Sequence, residues 1–247
     1  SNDVVVASRS DYSEIAAEMG LKYYSLHDPA AFFEAPLDVV LFSVSIVSFE
    51  KTLTVLAPYM EGKGLLVVDV LSVKEHPATL LDKYVPKDCD ILATHPMFGP
   101  ESGGGPNGWR GLTFVYDAVR VADRPQARDR VERFLSVFDE QGCRMVPMTS
   151  AQHDQFAAES QFVTHLVGRM LGHLSLKPTP IDTKGFESLL GVVKNTNADS
   201  FDLFFGLYKY NENNAKSIIN GVQASLEVTV GLLEEQLHKE AETLGKP

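Results

Sequence analysis

The sequence predicts an α/β protein in two parts, a mostly parallel sheet with helical crossovers and then an all-helical region. Short β-branched runs alternate with helix-like stretches up to Met148, whereas helix-like stretches alone follow Ser150. The apolar runs are continuous rather than alternating, as in strands that are covered on both faces. We therefore predict a sheet domain over residues 1–148 and a helical domain over residues 149–247.

The elements of the first part follow from their residue types and from the signals that start and stop helices. Pro125 suits the first turn of a helix, and Gly142 suits the position after its end. The predicted strands are Asp3–Ala7, Asp38–Ser45, Leu65–Val70, Cys89–Thr94, Thr113–Tyr116 and Arg144–Pro147. The predicted helices are Asp11–Gly20, Ser48–Met60, Val73–Tyr84 and Pro125–Gln141.

The second part is predicted to hold four helices, over residues 150–174, 184–195, 199–210 and 212–241. In the last of them, apolar residues recur every three or four positions and form one stripe. A partner chain or the same domain must cover this stripe, and the periodicity leaves the choice open. The stripe consists of Ile218, Val222, Leu226, Val230, Leu233 and Leu237.

Composition limits the class of protein. The chain has 247 residues, 44% hydrophobic and 22% charged, which excludes a disordered, collagenous or disulfide-dense chain. A net charge of −11 argues against a broad nucleic-acid or anionic-membrane surface. No apolar run is long enough for a membrane helix, and the first residues resemble neither a signal nor a transit peptide. Cys89 and Cys143 lack the spacing of a metal or redox motif, so we predict buried thiols of a reducing compartment.

The turn after the first predicted strand contains Ser8, Arg9 and Ser10. In a doubly wound dinucleotide-binding fold, an arginine and hydroxyls after the second strand suit the 2′-phosphate of NADP. The alternative is an exposed turn in which Ser13 caps the next helix. We expect the first strand and glycine-rich turn of such a fold to be missing, because nothing precedes residue 1. The GxGxxG match at Gly103–Gly108 does not join a strand to a helix and predicts a flexible loop.

Ser72 and His95 follow two neighbouring predicted strands. Open α/β sheets bind ligands at the carboxyl ends of their strands, so both side chains are expected to face one crevice. A neutral imidazole, with an ordinary pKa of about 6.5, can accept a proton from a hydroxyl that a serine holds in place. The alternatives are a helix cap for Ser72 and a structural hydrogen bond for His95. No GxSxG elbow supports a serine hydrolase, and the scattered histidines predict no metal site.

Polar side chains also interrupt the apolar helices of the second part. Gln161 and His165 are four residues apart and share a helical face. Thr183 and Asp199 belong to polar stretches further along the chain. Such side chains suit either a buried hydrogen-bond network or a substrate pocket, and the residues alone leave both possibilities open.

Several stretches, in order from residue 8 to about residue 211, resemble the plant-type TyrA family of arogenate and prephenate dehydrogenases. The resemblance covers nearly the whole chain, and its longest strings are specific. The stretches are SRSDYS, VDVLSVKE, THPMFGPESG, FVYD, GCRM, HDQFAAESQFVTH with VGR, DTKGFESLL, and NTNADSFDLFFGL with YN.

The resemblance implies a Rossmann-like, NADP-binding first domain and oxidative decarboxylation of arogenate or prephenate. Hydride leaves the ring carbinol carbon for the nicotinamide while the ring carboxylate departs as carbon dioxide. The resemblance also implies a homodimer formed through the helical domain, and tyrosine as product or inhibitor. The implied compartment is the plastid stroma, with the cytosol as the alternative.

The resemblance also implies roles for individual residues. His95 would take the proton of the ring 4-hydroxyl, and Ser72 would assist by hydrogen bonding. The predicted cofactor-binding residues are Ser8, Arg9, Ser10, Ser43, Ser45 and Asp69, and the predicted contacts to the substrate side chain are Gln161, His165 and Thr183.

The resemblance implies that Asp199 matches the position that selects the substrate in the plant family, where arogenate enzymes have an acidic residue. Arogenate carries an ammonium where prephenate carries a keto oxygen, so a nearby carboxylate favours arogenate by ion pairing. The alternative is that Asp199 caps the helix that follows it.

Two departures from the family pattern bear on activity. The family's first strand, glycine-rich turn and first helix, about 30 residues that cradle the pyrophosphate, are not in this sequence. A natural chain of this length would bind the cofactor weakly and act as a dimeric binding or regulatory protein, whereas a longer parent would be fully active. The loop at Gly103–Gly108 is also longer than in the family, and Glu159 stands where a small residue is usual.

Overall fold

The computed structural model describes residues 3–99, 103–105 and 107–244, and the chain divides after Ser150 into two compact units. The first unit contains all seven described strands, and the second is helical. None of the helices described combines the length and the apolar character that crossing a bilayer requires.

The first unit has a two-stranded sheet and a five-stranded sheet, with β1 beside β2 and the order β3-β4-β5-β6-β7. All neighbouring strands are parallel except β5 and β6, which are antiparallel. The strands are β1 Val5–Ser8, β2 Lys22–Ser25, β3 Val39–Phe42, β4 Leu66–Asp69, β5 Asp90–Pro96, β6 Thr113–Arg120 and β7 Arg144–Pro147. The helices are α1 Ser13–Glu18, α2 Pro29–Phe33, α3 Ile46–Leu56, α4 Glu75–Tyr84 and α5 Pro125–Asp139, with a 3₁₀ turn at Ala57–Met60.

The mostly parallel sheet that the sequence predicts is confirmed, and its centre is the core of the unit. Leu66, Val68 and Leu92 are fully buried there, with Phe134 of α5 packed against them. The sequence prediction missed β2 and α2, which lie in a stretch with few aliphatic residues. The prediction of buried thiols is confirmed, since both cysteines are free and buried. Burial raises the pKa of each thiol, which keeps both protonated near neutral pH.

The second unit consists of five α-helices and one π-helical turn. The helix predicted over 150–174 is interrupted at Ala158–Phe162, where the backbone forms the π turn. The helices are α6 Ser150–Ala157, α7 Val163–His173, α8 Lys184–Ala198, α9 Phe201–Lys209 and α10 Glu212–Leu244, with α6 starting at the end of the first unit.

Helices α7 and α8 pack closely because α7 presents glycines to α8. A Cβ atom on Gly168 would overlap the hydroxyl of Thr196, and one on Gly172 would overlap the amide of Asn197. The short separation that glycine permits brings the C-terminal end of α8 next to α7. Asp199 follows that end directly, so this packing determines where Asp199 lies.

Helix α10 is only partly covered by its own unit. Ile218 and Val222 are half-buried, whereas the predicted stripe is exposed from Leu226 onward. Val228 and Leu232, which lie off that stripe, are each 62% exposed as well. The second half of α10 therefore presents large apolar side chains on more than one face.

Candidate functional site

Ser72 and His95 lie at the carboxyl ends of two adjacent parallel strands, β4 and β5. Asp69, the last residue of β4, is paired with Ala93 of β5, so both side chains follow the same edge of the sheet. His95 lies within β5 and is only 4% exposed, while Ser72 is half-buried in the loop after β4. The alternative of a helix cap for Ser72 is wrong, because α4 begins at Glu75 with Lys74 at its N-cap. The Ser72 hydroxyl therefore has no capping role.

A buried lysine that the sequence analysis missed joins the Ser72 loop to the His95 strand. Lys74 forms an ion pair with Asp69, and its Nζ donates a hydrogen bond of 2.6 Å to the carbonyl of Thr94. The hydroxyl of Thr94 donates to the carbonyl of Asp69 at 2.6 Å. All three residues are at most 1% exposed. Because Thr94 directly precedes His95, this network holds the loop of Ser72 against the strand of His95.

The carboxylate of Asp69, predicted to contact the cofactor, has partners within the protein. One of its oxygens accepts hydrogen bonds from the backbone NH of Leu71 at 3.0 Å and from Lys74 Nζ. These contacts describe a structural role, and contact of Asp69 with a cofactor stays a prediction.

The predicted 2′-phosphate residues lie at the end of β1 and in the turn after it. The Tyr23 hydroxyl donates to the carbonyls of Ser8 at 3.2 Å and Ser10 at 2.8 Å, which stabilises the turn. Arg9 is exposed, and among the described residues no carboxylate pairs with it. The capping role for Ser13 is wrong, since Ser13 is the first helical residue of α1 and follows Tyr12 at the N-cap. An exposed guanidinium with hydroxyls on either side fits a phosphate group.

Ser43 and Ser45 lie after the carboxyl end of β3, the strand beside β4. Both residues are exposed, and Ser45 occupies the N-cap of α3 without capping it through its side chain. Their hydroxyls are therefore accessible at the same edge of the sheet that carries Ser72.

The helical unit contains a polar cluster formed by Gln161, His165, Arg169 and Asp199. His165 Nε2 lies 3.7 Å from a carboxylate oxygen of Asp199, and Arg169 Nη2 donates to the Asp199 carbonyl at 2.8 Å. Within the described part of the chain, three buried atoms of the cluster lack a hydrogen-bond partner: Gln161 Oε1, His165 Nδ1 and Arg169 Nε. Buried polar atoms are normally paired, so three unpaired atoms on one run of helix indicate a site for a polar ligand.

The imidazole of His165 is kept neutral by its surroundings. Burial lowers its pKa below the ordinary value of 6.5, and the positive charge of Arg169 acts in the same direction. The carboxylate of Asp199 opposes these effects and raises the pKa, without reversing the shift. The ring of Phe204 also stacks near His165, with centroids 6.4 Å apart. A neutral His165 offers a ligand hydrogen bonds rather than a charge.

Asp199 occupies the C-cap position of α8 and does not cap the helix that follows it, so that alternative is wrong. Helix α9 begins at Phe201, and the hydroxyl of Ser200 accepts a hydrogen bond from the backbone NH of Leu203 at 3.2 Å. Asp199 instead ends α8, and its side chain is 47% exposed. Its carboxylate is therefore accessible to a ligand and lies beside His165.

Thr183, a predicted substrate contact, caps helix α8. Its hydroxyl accepts a hydrogen bond from the backbone NH of Phe186 at 3.3 Å. This contact uses the oxygen as an acceptor and leaves the hydroxyl proton available. A contact between Thr183 and the substrate stays a prediction.

His153 and Asp154 belong to a buried hydrogen-bond network. Their side chains lie 2.8 Å apart, and Asn211 donates to the Asp154 carbonyl at 2.6 Å. Across the residues that the structure describes, no group of three or more potential metal ligands comes together.

Two family models match the chain. Residues 2–146 match the model described as "Prephenate dehydrogenase, nucleotide-binding domain". Residues 170–244 match the model described as "TYRAAT1-like, C-terminal domain".

The chain is also similar to two proteins of Arabidopsis thaliana, each 48% identical to it. "Arogenate dehydrogenase 1, chloroplastic" matches over 94% of this chain and 36% of its own length. "Arogenate dehydrogenase 2, chloroplastic" matches over 86% of this chain and 58% of its own length. The chain thus spans between about a third and three fifths of these relatives.

The fold is similar to that of a solved structure, prephenate dehydrogenase from A. aeolicus in complex with hydroxyphenyl propionate and NAD+. The TM-score is 0.70 at 18% sequence identity, and the match covers 99% of this chain and 87% of the other. At this identity, the likeness concerns the fold alone.

Proposed function

This chain belongs to the prephenate dehydrogenase family, and we propose that it is an arogenate dehydrogenase that makes tyrosine with NADP as hydride acceptor. Both Arabidopsis relatives are named arogenate dehydrogenases, and we extend arogenate dehydrogenation to this chain. The observation that carries the proposal is the carboxylate of Asp199, which is accessible, does not cap α9 and lies beside a neutral His165.

The choice of arogenate over prephenate follows from charge. The side chain of arogenate has an ammonium where that of prephenate has a ketone, and an ammonium gains a charge-assisted hydrogen bond from a carboxylate. A keto oxygen beside the same carboxylate forms no hydrogen bond with it and loses the hydrogen bonds that it made to water. Because burial keeps His165 neutral, the imidazole does not cancel the negative charge of Asp199.

We assign proton removal from the substrate's ring hydroxyl to His95. His95 accepts this proton as hydride leaves the carbon that bears the hydroxyl. Ser72 holds the hydroxyl towards His95 by hydrogen bonding. The ring carboxylate then departs as carbon dioxide, its bonding electrons complete the aromatic ring, and the phenolate oxygen takes the proton back from His95 to give tyrosine. Bound NADP supplies the acceptor for the hydride. Lys74 and Asp69 keep Ser72 and His95 in position through Thr94.

NADP rather than NAD is proposed from the turn after β1. Arg9 is exposed without a carboxylate partner in the described part of the chain, and Ser8 and Ser10 stand on either side of it. An unpaired guanidinium attracts the additional phosphate of NADP, whereas an acidic residue in this place would repel it. Ser43 and Ser45 are proposed as further cofactor contacts.

We also propose a homodimer formed through α10 and location in plastids. The exposed apolar residues of α10 support the dimer, since a helix that is apolar on more than one face is normally buried. The names of both Arabidopsis relatives include "chloroplastic", which supports the location.

The function is tested by following NADPH formation by the purified chain with arogenate and with prephenate. Arogenate is expected to be oxidised and prephenate to be a poor substrate. Asp199→Asn removes the charge and is expected to shift the arogenate-to-prephenate ratio of kcat/KM towards prephenate by about 10- to 100-fold. Asp202→Asn, an exposed aspartate three residues further on, is the matched control and should leave the ratio unchanged.

Turnover of neither substrate, by this chain or by the chain extended with the family's first strand and glycine-rich turn, would contradict the enzymatic proposal. Tyrosine binding without NADP binding, measured by calorimetry, would instead indicate a binding or regulatory protein of the same family. An unchanged substrate ratio in the Asp199→Asn variant would remove Asp199 as the selector while leaving the dehydrogenase activity in place.

A further inference from the structure

The guanidinium of Arg169 lies in the polar cluster without an anionic partner. Its Nη2 donates to the carbonyls of Asp199 at 2.8 Å and Ser200 at 3.3 Å. Its Nε is buried and has no acceptor among the described residues, and no carboxylate in that part of the chain forms an ion pair with it. An arginine keeps its positive charge at any pH at which the protein is folded.

The surroundings of Arg169 make this charge available to a ligand. The guanidinium carbon lies 5.1 Å from the ring centroid of Phe204 and 5.9 Å from that of Phe201. Aromatic faces and carbonyl oxygens hold a guanidinium in place without neutralising it. The charge also reaches into the cluster, since it lowers the pKa of His165 one helical turn away. A fixed, half-buried cation with a free donor is suited to bind a carboxylate.

We propose that Arg169 binds the side-chain carboxylate of the substrate and of tyrosine, while Asp199 binds the ammonium on the same carbon. This inference rests on the proposed function and adds a specificity residue to it. The chemical class recognised is the zwitterionic head group of an α-amino acid.

The placement of the two charges supports this assignment. Arg169 contacts the backbone of Asp199, so the guanidinium and the Asp199 carboxylate belong to neighbouring positions of one cluster. The ammonium and carboxylate of an α-amino acid share one carbon atom and need opposite charges at such short separation. The free Gln161 Oε1 is an acceptor for a further ammonium proton. His165 Nδ1, depending on its tautomer, is a donor for the carboxylate or a second acceptor.

The experiment measures binding of three probes to the full chain by calorimetry at saturating NADP. The probes are tyrosine, tyramine, which lacks the carboxylate, and 4-hydroxyphenylpropionate, which lacks the ammonium. The variants are Arg169→Met, Arg169→Lys and Asp199→Asn. Lys216→Met removes a positive charge from an exposed ion pair of α10 and is the control for net charge.

Arg169→Met is expected to weaken the binding of tyrosine and of 4-hydroxyphenylpropionate by about 10- to 100-fold and to leave the binding of tyramine nearly unchanged. Arg169→Lys should weaken the binding of these two probes less than Arg169→Met does, because lysine keeps the positive charge. It should still weaken their binding, because lysine lacks the paired donors of the guanidinium. Asp199→Asn should weaken the binding of tyrosine and tyramine, which have the ammonium, and should leave the binding of 4-hydroxyphenylpropionate unchanged. Lys216→Met should leave all three affinities as in the wild-type chain.

Equal weakening of all three probes in Arg169→Met would mean that Arg169 only holds the turn between α8 and α9, and would overturn the inference. An unchanged tyrosine affinity, or no tyrosine binding by the wild-type chain, would overturn it as well. Failure of the proposed function is distinguishable, because a chain that shows the expected probe pattern but oxidises neither arogenate nor prephenate binds amino acids without being a dehydrogenase.

Discussion

His165 combines burial with two neighbouring charges, and its protonation links the cluster to pH. Because its pKa is lowered in the folded chain, the unfolded chain binds a proton over a range of pH in which the folded chain does not. Stability therefore rises with pH through this range and falls as the pH drops below about 6.5, the ordinary pKa of histidine.

We expect His165→Gln to weaken this pH dependence, because glutamine does not titrate and retains hydrogen-bonding groups. The measurement is the urea midpoint of unfolding at about pH 7.5 and about pH 5.5, compared between variant and wild-type chain. His173→Gln, an exposed histidine at the end of the same helix, is the control and should behave like the wild-type chain. An identical loss of stability on acidification in the His165→Gln variant would contradict the prediction.

Residue types at strand ends were sufficient to locate Ser72 and His95, because the edge of a parallel sheet follows from strand order. Lys74 was missed because a lysine is normally exposed, and only the folded chain brings Asp69 and Thr94 around it. The signal in the sequence was Asp69, an acidic residue at the end of a strand and five positions before Lys74, which could have indicated a buried ion pair. The cap before α9 was misassigned by one residue, since Asp199 and Ser200 are both good capping residues.

At the scale of elements, the loop between β4 and α4 depends on one buried ion pair. Lys74 and Asp69 are at most 1% exposed, so removing the lysine leaves a carboxylate uncompensated in the interior. Lys74→Met is expected to destabilise folding by about 3–5 kcal/mol. Because the pair positions Ser72 and His95, we expect kcat to fall at a temperature where the variant is folded.

The matched control is Lys87→Met, which breaks an exposed ion pair with Asp82 in the same unit. This substitution should change both the urea midpoint and kcat little, because exposed ion pairs contribute little to stability. A Lys74→Met variant as stable and as active as the control would show that the network positions nothing.

Elements with apolar runs or clear start and stop signals were predictable, and elements without them were not. Helix α5 and strand β7 have the predicted positions to within two residues, because strong start and stop signals flank them. Strand β2 and helix α2 are short and contain few aliphatic residues, so no apolar pattern stands out in their sequences. The π turn at Ala158–Phe162 leaves no mark on the apolar repeat, since it inserts into an otherwise continuous helix.

At the scale of the whole molecule, the two units carry different parts of the proposed chemistry. The sheet unit holds the proposed base and the turn for NADP, whereas the helical unit holds the charges that distinguish an amino acid from a keto acid. Substrate selection by charge is therefore separable from proton removal. Substitutions in the helical unit should alter substrate preference, and substitutions in the sheet unit should alter proton removal or cofactor binding. The domain boundary near Met148 that the sequence suggests remains a prediction beside the division after Ser150.

The last prediction concerns α10, where Leu226 and Leu233 are 60% and 63% exposed. These residues are seven positions apart and lie on one face, and such a row of leucines is stable in water when a second helix covers it. We expect the wild-type chain to have twice its chain mass of 27.2 kDa by light scattering, and Leu226→Glu/Leu233→Glu to be monomeric. The control Ser217→Glu/Ala224→Glu adds the same charges at the same spacing on the opposite face and should remain dimeric. A monomeric wild-type chain, or a dimer that survives both glutamates, would show that something other than this face of α10 in a second copy covers the leucines.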